Sequence, residues 1–126
     1  MRLVSFGEPG EETPGVWTDA GILDLRSMQP NRTIDWRQVL ATDGLTRIAE
    51  LVRRATPEHL VDPSTVRLGP PITNPSKVIC IGMNYADHAA EQNKPLPEKP
   101  LLFAKAPTAL CGPEDDIVLQ IGRAHV

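Results

Sequence analysis

A chain of 126 residues has room for one average domain, or for a small domain and the beginning of another. Its hydrophobic share of 40% is enough for a core, and its charged share of 23% is close to the globular norm. A formal net charge of −3 gives no electrostatic case for nucleic acid or an anionic membrane, and no apolar run reaches the roughly 18 residues of a membrane span. The N-terminus, MRLVSFGEPGEE, lacks the long apolar core of a signal peptide and turns acidic early, so a cytoplasmic location is expected.

Residues 2–6 (RLVSF) alternate and predict a strand, and 7–14 a polar turn. Residues 15–19 and 22–25 read as two further short strands joined by a tight turn at 19–21. The resulting antiparallel meander carries Leu3, Phe6, Val16 and Trp17 toward or around a core. Thr33 or Asp35 can cap a helix in which Trp36, Val39 and Leu40 fall at i, i+3, i+4. Asp43 and Gly44 break it. Leu45, Ile48, Ala49 and Val52 then repeat helical spacing to about Arg54, with Arg53 and Arg54 in the last turn, where cations suit the helix dipole. His59, just beyond, reads as a surface histidine.

A crossing strand is expected over 61–68, a stiff Gly/Pro linker over 69–75, and a continuous, buried, β-branched strand over 78–81. A short helix follows over 84–92, then a proline-bearing loop over 93–100, and strands over 101–103 and 117–119 separated by the Gly-Pro acidic turn CGPEDD. The 13 prolines, roughly twice the average share, cluster at 70–75 and 95–100, which suits a strand-rich fold with rigid crossings. Cys80 and Cys111 match no zinc pattern; they are expected to be reduced, buried thiols.

The chemistry concentrates in 77–91, KVICIGMNYADHAAE, where an apolar run stops at a glycine and Asn84, Tyr85, Asp87 and His88 follow at once. On a helix, His88 and Glu91 at i, i+3 face the same side. A carboxylate that orients and charges an imidazole is a minimal general-base unit. The same pair also suits an ordinary surface helix. Asp87 suits a helix start. Asn84 and Tyr85 can line a pocket or simply end the strand, and Lys105 can neutralise substrate charge or sit in solvent. Asp115 and Asp116 read as an acidic turn pair rather than a metal site.

The block KVICIGMNYADHAAE, followed by EKPLLFAKAPTALCGPEDDIVL and preceded by an opening MRLVSFG and a strand GVWTDAGILDL, resembles the fumarylacetoacetate hydrolase family. It is closest to the smaller bacterial-type members called ureidoglycolate lyase or 2-hydroxyhepta-2,4-diene-1,7-dioate isomerase. The resemblance spans nearly all of residues 1–119. It implies a large domain folded as a mixed β-roll, and a divalent cation (Mg2+ or Mn2+) held by a Glu-x-Glu pair and a later Asp. That cation chelates a 2-oxo or 1,3-diketo acid and stabilises an enolate. It also implies a His-x-x-Glu dyad on a lid, here His88 and Glu91, with Asn84, Tyr85 and Lys105 as substrate-binding candidates. Parent enzymes of this kind are commonly homodimers acting on a small-molecule oxo acid.

Two departures qualify the resemblance. Fumarylacetoacetate hydrolase itself places an acidic ligand seven residues before its histidine, where this chain has Ile81, so that substrate does not carry over. The Glu-x-Glu pair and third ligand lie, in the family, beyond the last residue here, so no metal ligand is assigned. Residues 121–126, IGRAHV, are spelled by ATC GGA AGA GCA CAC GTC, a string resembling a common sequencing adapter, and are expected to be a non-native tail.

The fold class expected is α+β. A small N-terminal α/β domain (1–68) and a linker (69–76) precede the first strands of an incomplete β-roll catalytic domain (77–120). The function expected is that of the N-terminal part of a metal-dependent hydrolase, lyase or isomerase, inactive and aggregation-prone alone, with 1–68 the better ordered part. The alternative is a complete, non-catalytic binding or regulatory module.

Overall fold

The computed structural model describes residues 1–118 as helices and antiparallel sheets, an α+β chain. It divides into two compact units, Met1–Thr73 together with residues 111–118, and Asn74–Leu110.

The first unit is built on a four-stranded antiparallel sheet in the order β1-β2-β3-β4: β1 Arg2–Phe6, β2 Thr13–Thr18, β3 Gly21–Asp24 and β4 Leu60–Val61. β2 starts earlier than its sequence suggests. Thr13 and Pro14 pair with Phe6 and Ser5, and β3 pairs with β2 only from Gly15 on, so the missing N–H of Pro14 costs no bond in that ladder. At the β2–β3 turn Gly21 has φ +132°, and a Cβ there would stand 2.9 Å from the Val61 carbonyl oxygen; both facts require glycine. β3 ends one residue sooner than expected. The Asp24 carboxylate accepts the N–H groups of Arg26 (2.7 Å) and Ser27 (3.3 Å), capping a short helix α1, Leu25–Met28, that periodicity did not reveal.

Helices α2 (Trp36–Ala41) and α3 (Gly44–Arg53) follow, α2 capped by Asp35. The core gathers Val16, Leu23, Leu25, Trp36, Ile48 and Leu51. Leu40 and Leu45, assigned to apolar stripes by spacing, are exposed, and Leu51 takes the inward position. Trp36 also donates its indole N–H to the Val4 carbonyl at 3.0 Å, tying α2 to the edge strand. Elsewhere in the sheet Phe6 and Ile22 converge on Gly15, where a Cβ would stand 2.9 and 2.8 Å from them.

The strand expected over 61–68 is broken. Asp62 accepts the Ser64 N–H at 2.9 Å, Pro63 opens a 3-10 turn (Pro63–Thr65), and only a bridge between Phe6 and Leu68 resumes the pairing. A proline at a first helical position and an Asp before it start a turn more readily than they continue a ladder.

The second unit is a two-stranded antiparallel sheet, β5 (Val78–Gly82) with β6 (Leu101–Lys105), and a helix α4 (Ala86–Glu91) between them. β5 is not the buried strand its composition implies: Ile79 is 64% and Ile81 52% exposed, while Val78, Cys80 and Gly82 are half-buried. Side chains of a sheet stand perpendicular to it, so two strands shield each other's edges but not their faces. Both cysteines are free thiols; Cys80 is half-buried, whereas Cys111 is exposed, contrary to expectation, on an irregular loop. Ile117 and Val118 are exposed and form no strand. Leu119 and the suspected tail 121–126 lie outside the described residues.

Candidate functional site

The site is assembled at the exit of β5. Gly82 pairs with Leu101, and Met83 then turns the chain with φ +46°, a left-handed conformation uncommon for a non-glycine side chain. Asn84 and Tyr85 follow, both exposed, and α4 begins after Tyr85 with Asp87 in its first turn, as expected. The Asp87 carboxylate accepts the His88 N–H at 2.9 Å. Ala89, 1% exposed, is the buried residue of this short helix, which leaves His88 and Glu91 open to solvent. Asn93, with φ +51°, ends it, and the N–H groups of Asn93 and Lys94 return to the carbonyls of Ala90 and Ala89 at 3.0 and 2.9 Å. Asparagine is among the few residues that accept this left-handed closing position.

The side-chain partner of His88 is not the one its spacing singles out. His88 Nε2 lies 2.7 Å from the side-chain nitrogen of Gln92, one helical turn on, and the Gln92 carbonyl oxygen accepts from Lys94 Nζ at 3.0 Å. The lysine thus fixes the amide's orientation. Since an amide nitrogen only donates, His88 Nε2 accepts and its ring proton belongs on Nδ1. Glu91 is exposed, and among the described residues it forms no ion pair with His88. Gln92 and Lys94 were absent from the sequence-based site. The i, i+4 spacing of Gln92 from His88 was the available signal.

Asn84 and Tyr85 follow the exit of β5, His88 and Glu91 lie on α4, and Lys105 closes β6 at the other end of the strand pair. The register pairs Lys105 with Val78, four residues back along β5 from Gly82, about 13 Å of strand at 3.3 Å per residue.

A second polar cluster lies wholly within the first unit. Arg67 donates from Nε and Nη2 to the two carboxylate oxygens of Asp115 at 2.6 and 2.5 Å. Its Nη1 donates to the Gly7 carbonyl at 2.9 Å and to Glu12 at 3.1 Å. The guanidinium and the Gly112 N–H hold the Asp115 carboxyl below its ordinary range. Burial pushes the Glu12 carboxyl up, but bonds from its own backbone, Arg67 and Gly10 outweigh this and lower it overall. Arg67 is held charged, chiefly by Asp115. No sequence pattern announced this cluster: Arg67 and Asp115 are 48 residues apart.

Among the described residues no group of three or more His, Cys, Asp or Glu side chains could hold a metal ion. Asp115, within the acidic turn, is occupied by Arg67 and Gly112.

Comparison with known proteins places these features. Residues 77–126 match the family described as fumarylacetoacetate (FAA) hydrolase, C-terminal. The mitochondrial oxaloacetate tautomerase FAHD2A of Bos taurus is 38% identical over 125 residues, covering 94% of this chain and 39% of the relative. A protein of Burkholderia multivorans named as a hydrolase is 38% identical over 123 residues, covering 97% of this chain and 42% of the relative. Among solved structures, a protein designated HpcE from Mycobacterium smegmatis superposes with a TM-score of 0.70 at 26% identity, over 97% of this chain and 42% of that one. The chain therefore spans about two fifths of the length of these relatives. Its residues 77–126 match the fumarylacetoacetate hydrolase family, and all of its second unit from residue 77 on lies within that segment.

Proposed function

We propose that the chain is part of an enzyme that moves a proton next to a carbonyl of a small 2-oxo or 1,3-diketo acid, with an enolate as the species formed. His88 is the base and Glu91 assists it. Asn84 and Tyr85 contact the substrate, and Lys105 is a further candidate contact. The observation that carries this reading is the placement of His88. The turn at Met83 sets it on a solvent-open helical turn, beside a strand exit, inside the segment that matches an enzyme family. Names of the relatives support tautomerase or hydrolase chemistry, and oxaloacetate is the first substrate to assay.

The base must present a lone pair. With its proton on Nδ1, His88 offers Nε2, which Gln92 occupies; an incoming substrate must displace that amide. Lys94 then keeps Gln92 close enough to return. The family's divalent cation would polarise the substrate carbonyl, but no group of three or more ligating side chains among the described residues fits such an ion. The homodimer and the cytoplasmic location belong to the same proposal. No helix among the described residues is long and apolar enough to cross a membrane, and several relatives are named as mitochondrial.

The test uses the uninterrupted genomic reading frame that contains this chain. Its product should interconvert the enol and keto forms of oxaloacetate, with magnesium or manganese added. His88→Gln should lower kcat by about 100-fold or more, and Glu91→Gln should lower it less. Full turnover by His88→Gln overturns the reading, as does turnover by the 126-residue chain alone.

A further inference from the structure

The amide that occupies His88 is held at both ends, and the atoms between those ends repeat the group on which the proposed reaction acts. The Gln92 side-chain nitrogen lies 2.7 Å from His88 Nε2, and the oxygen of the same amide accepts from Lys94 Nζ at 3.0 Å. Outward from the ring, the order is a hydrogen-bearing atom, a planar carbon and an oxygen. An acid with a proton to lose beside a carboxylate presents the same order, with carbon in place of nitrogen. The imidazole and the ammonium stand no more than about 8 Å apart along this path, a span that such a fragment also bridges at contact distances.

The backbone of Lys94 is fixed from both sides. Its N–H donates at 2.9 Å to the carbonyl of Ala89, the buried residue of α4, and the Asn93 N–H donates to that of Ala90 at 3.0 Å. These are the two bonds that close a helix on a left-handed residue, here Asn93. Pro95 follows and restricts Lys94 from the other side. The lysine stem thus starts from a set point at the C-terminal end of the helix that bears His88. Among the described residues its ammonium forms no ion pair. It has three N–H donors and gives one to Gln92, so it can hold the displaced amide and a carboxylate together. Lys105, the other candidate for substrate charge, sits at the far end of the strand pair.

We propose that Lys94 binds the carboxylate carried by the carbon whose proton His88 removes, and so selects 2-oxo diacids over otherwise equal acids that lack this group. The proposal deepens the functional reading above and rests on it. A 2-oxo diacid could turn either of two oxygens toward Lys94, and charge decides between them. The carboxylate is negative before, during and after proton transfer, whereas the ketone oxygen gains charge only as the enolate forms. A strongly hydrated ammonium therefore favours the carboxylate, and it does so equally in every state of the reaction. Such an interaction lowers KM without raising kcat.

The experiment uses the enzyme expressed from the uninterrupted frame. It compares enol–keto interconversion of oxaloacetate with that of the monomethyl ester in which this carboxylate is masked. The unaltered enzyme should favour the diacid about tenfold or more in kcat/KM. Lys94→Gln should raise KM for oxaloacetate about tenfold, hold kcat within about twofold and leave the ester unaffected, so that the preference disappears. Lys94→Arg should keep most of it. A preference that survives Lys94→Gln, or that Lys105→Gln removes instead, overturns the proposal. Equal losses on diacid and ester, or a fall in kcat at constant KM, also overturn it. Beside an inactive His88→Gln, each of these results leaves the functional reading standing. Turnover retained by His88→Gln overturns that reading and the role of Lys94 with it.

Discussion

His88 Nε2 lies 2.7 Å from the side-chain nitrogen of Gln92, and the oxygen of that amide faces Lys94. Gln92, rather than the acidic Glu91, thus sets the ring's tautomer. At a pH where the ring is neutral, nitrogen-15 NMR should find the proton on Nδ1. Gln92→Ala should shift the ring toward the Nε2–H form, and Glu91→Gln should leave it unchanged. An Nε2–H ring in the unaltered chain would contradict this geometry.

The Arg67 cluster should make stability depend on acid. Asp115 and Glu12 are held below their ordinary carboxyl values in the fold, so the unfolded chain binds protons at a higher pH than the folded one. Their stabilisation is fully present above the ordinary carboxylate range of about 4. It is lost as pH falls through the lowered, folded values. Arg67→Gln should melt several degrees lower than the unaltered chain at pH 7, and the gap should close between about pH 5 and pH 2. A gap that widens on acidification would reverse the sign.

Leu23 is fully buried in the core beside Val16 and Leu25. Leu23→Ala should cost about 2–5 kcal/mol, a large share of the roughly 5–15 kcal/mol that holds a domain together. Urea unfolding followed by tryptophan fluorescence, with Trp36 buried in the same core, measures it. Gly15→Ala acts by the opposite route, forcing a methyl between Phe6 and Ile22, and should cost about 1–3 kcal/mol.

Hydrogen exchange should rank the two units. The amides of β2 and β3 lie under a common core, whereas β5 and β6 leave Ile79, Ile81 and Leu102 more than half exposed. Exchange should be at least a hundredfold faster in β5 and β6, and trypsin should cut first at Lys77 or Lys105, both exposed and neither followed by proline. A single cooperative melt that includes both units would refute this.

The parts legible in the sequence were those governed by short-range pattern. RLVSF alternates and is β1; Asp35 precedes Trp36 and caps α2; Gly82 ends an apolar run and the helix bearing His88 follows. What escaped was set by side chains competing for the backbone or by distant partners. Asp24 turned the end of a strand into a helix, and Asp62 with Pro63 broke one where apolar spacing implied continuity. Periodicity also says which residues share a face, not whether anything covers it, which is why β5 reads as buried and is not. At the site, spacing singled out Glu91 because a carboxylate is the usual partner of a base. Lys94, from beyond the helix, orients an amide that fills that place instead.

The discontinuity of the first unit has a consequence for synthesis. A ribosome that has just finished Arg67 must add 48 more residues before Asp115 exists to receive the guanidinium. At typical elongation rates that is roughly 2 to 10 s. During that interval the nascent sheet carries a half-satisfied arginine and a buried glutamate, while the strands destined for the excursion emerge beside it with their apolar faces bare. Chaperone demand should therefore peak late in translation of this stretch, and slow codons placed between β4 and β6 should harm yield more than the same codons placed before β3.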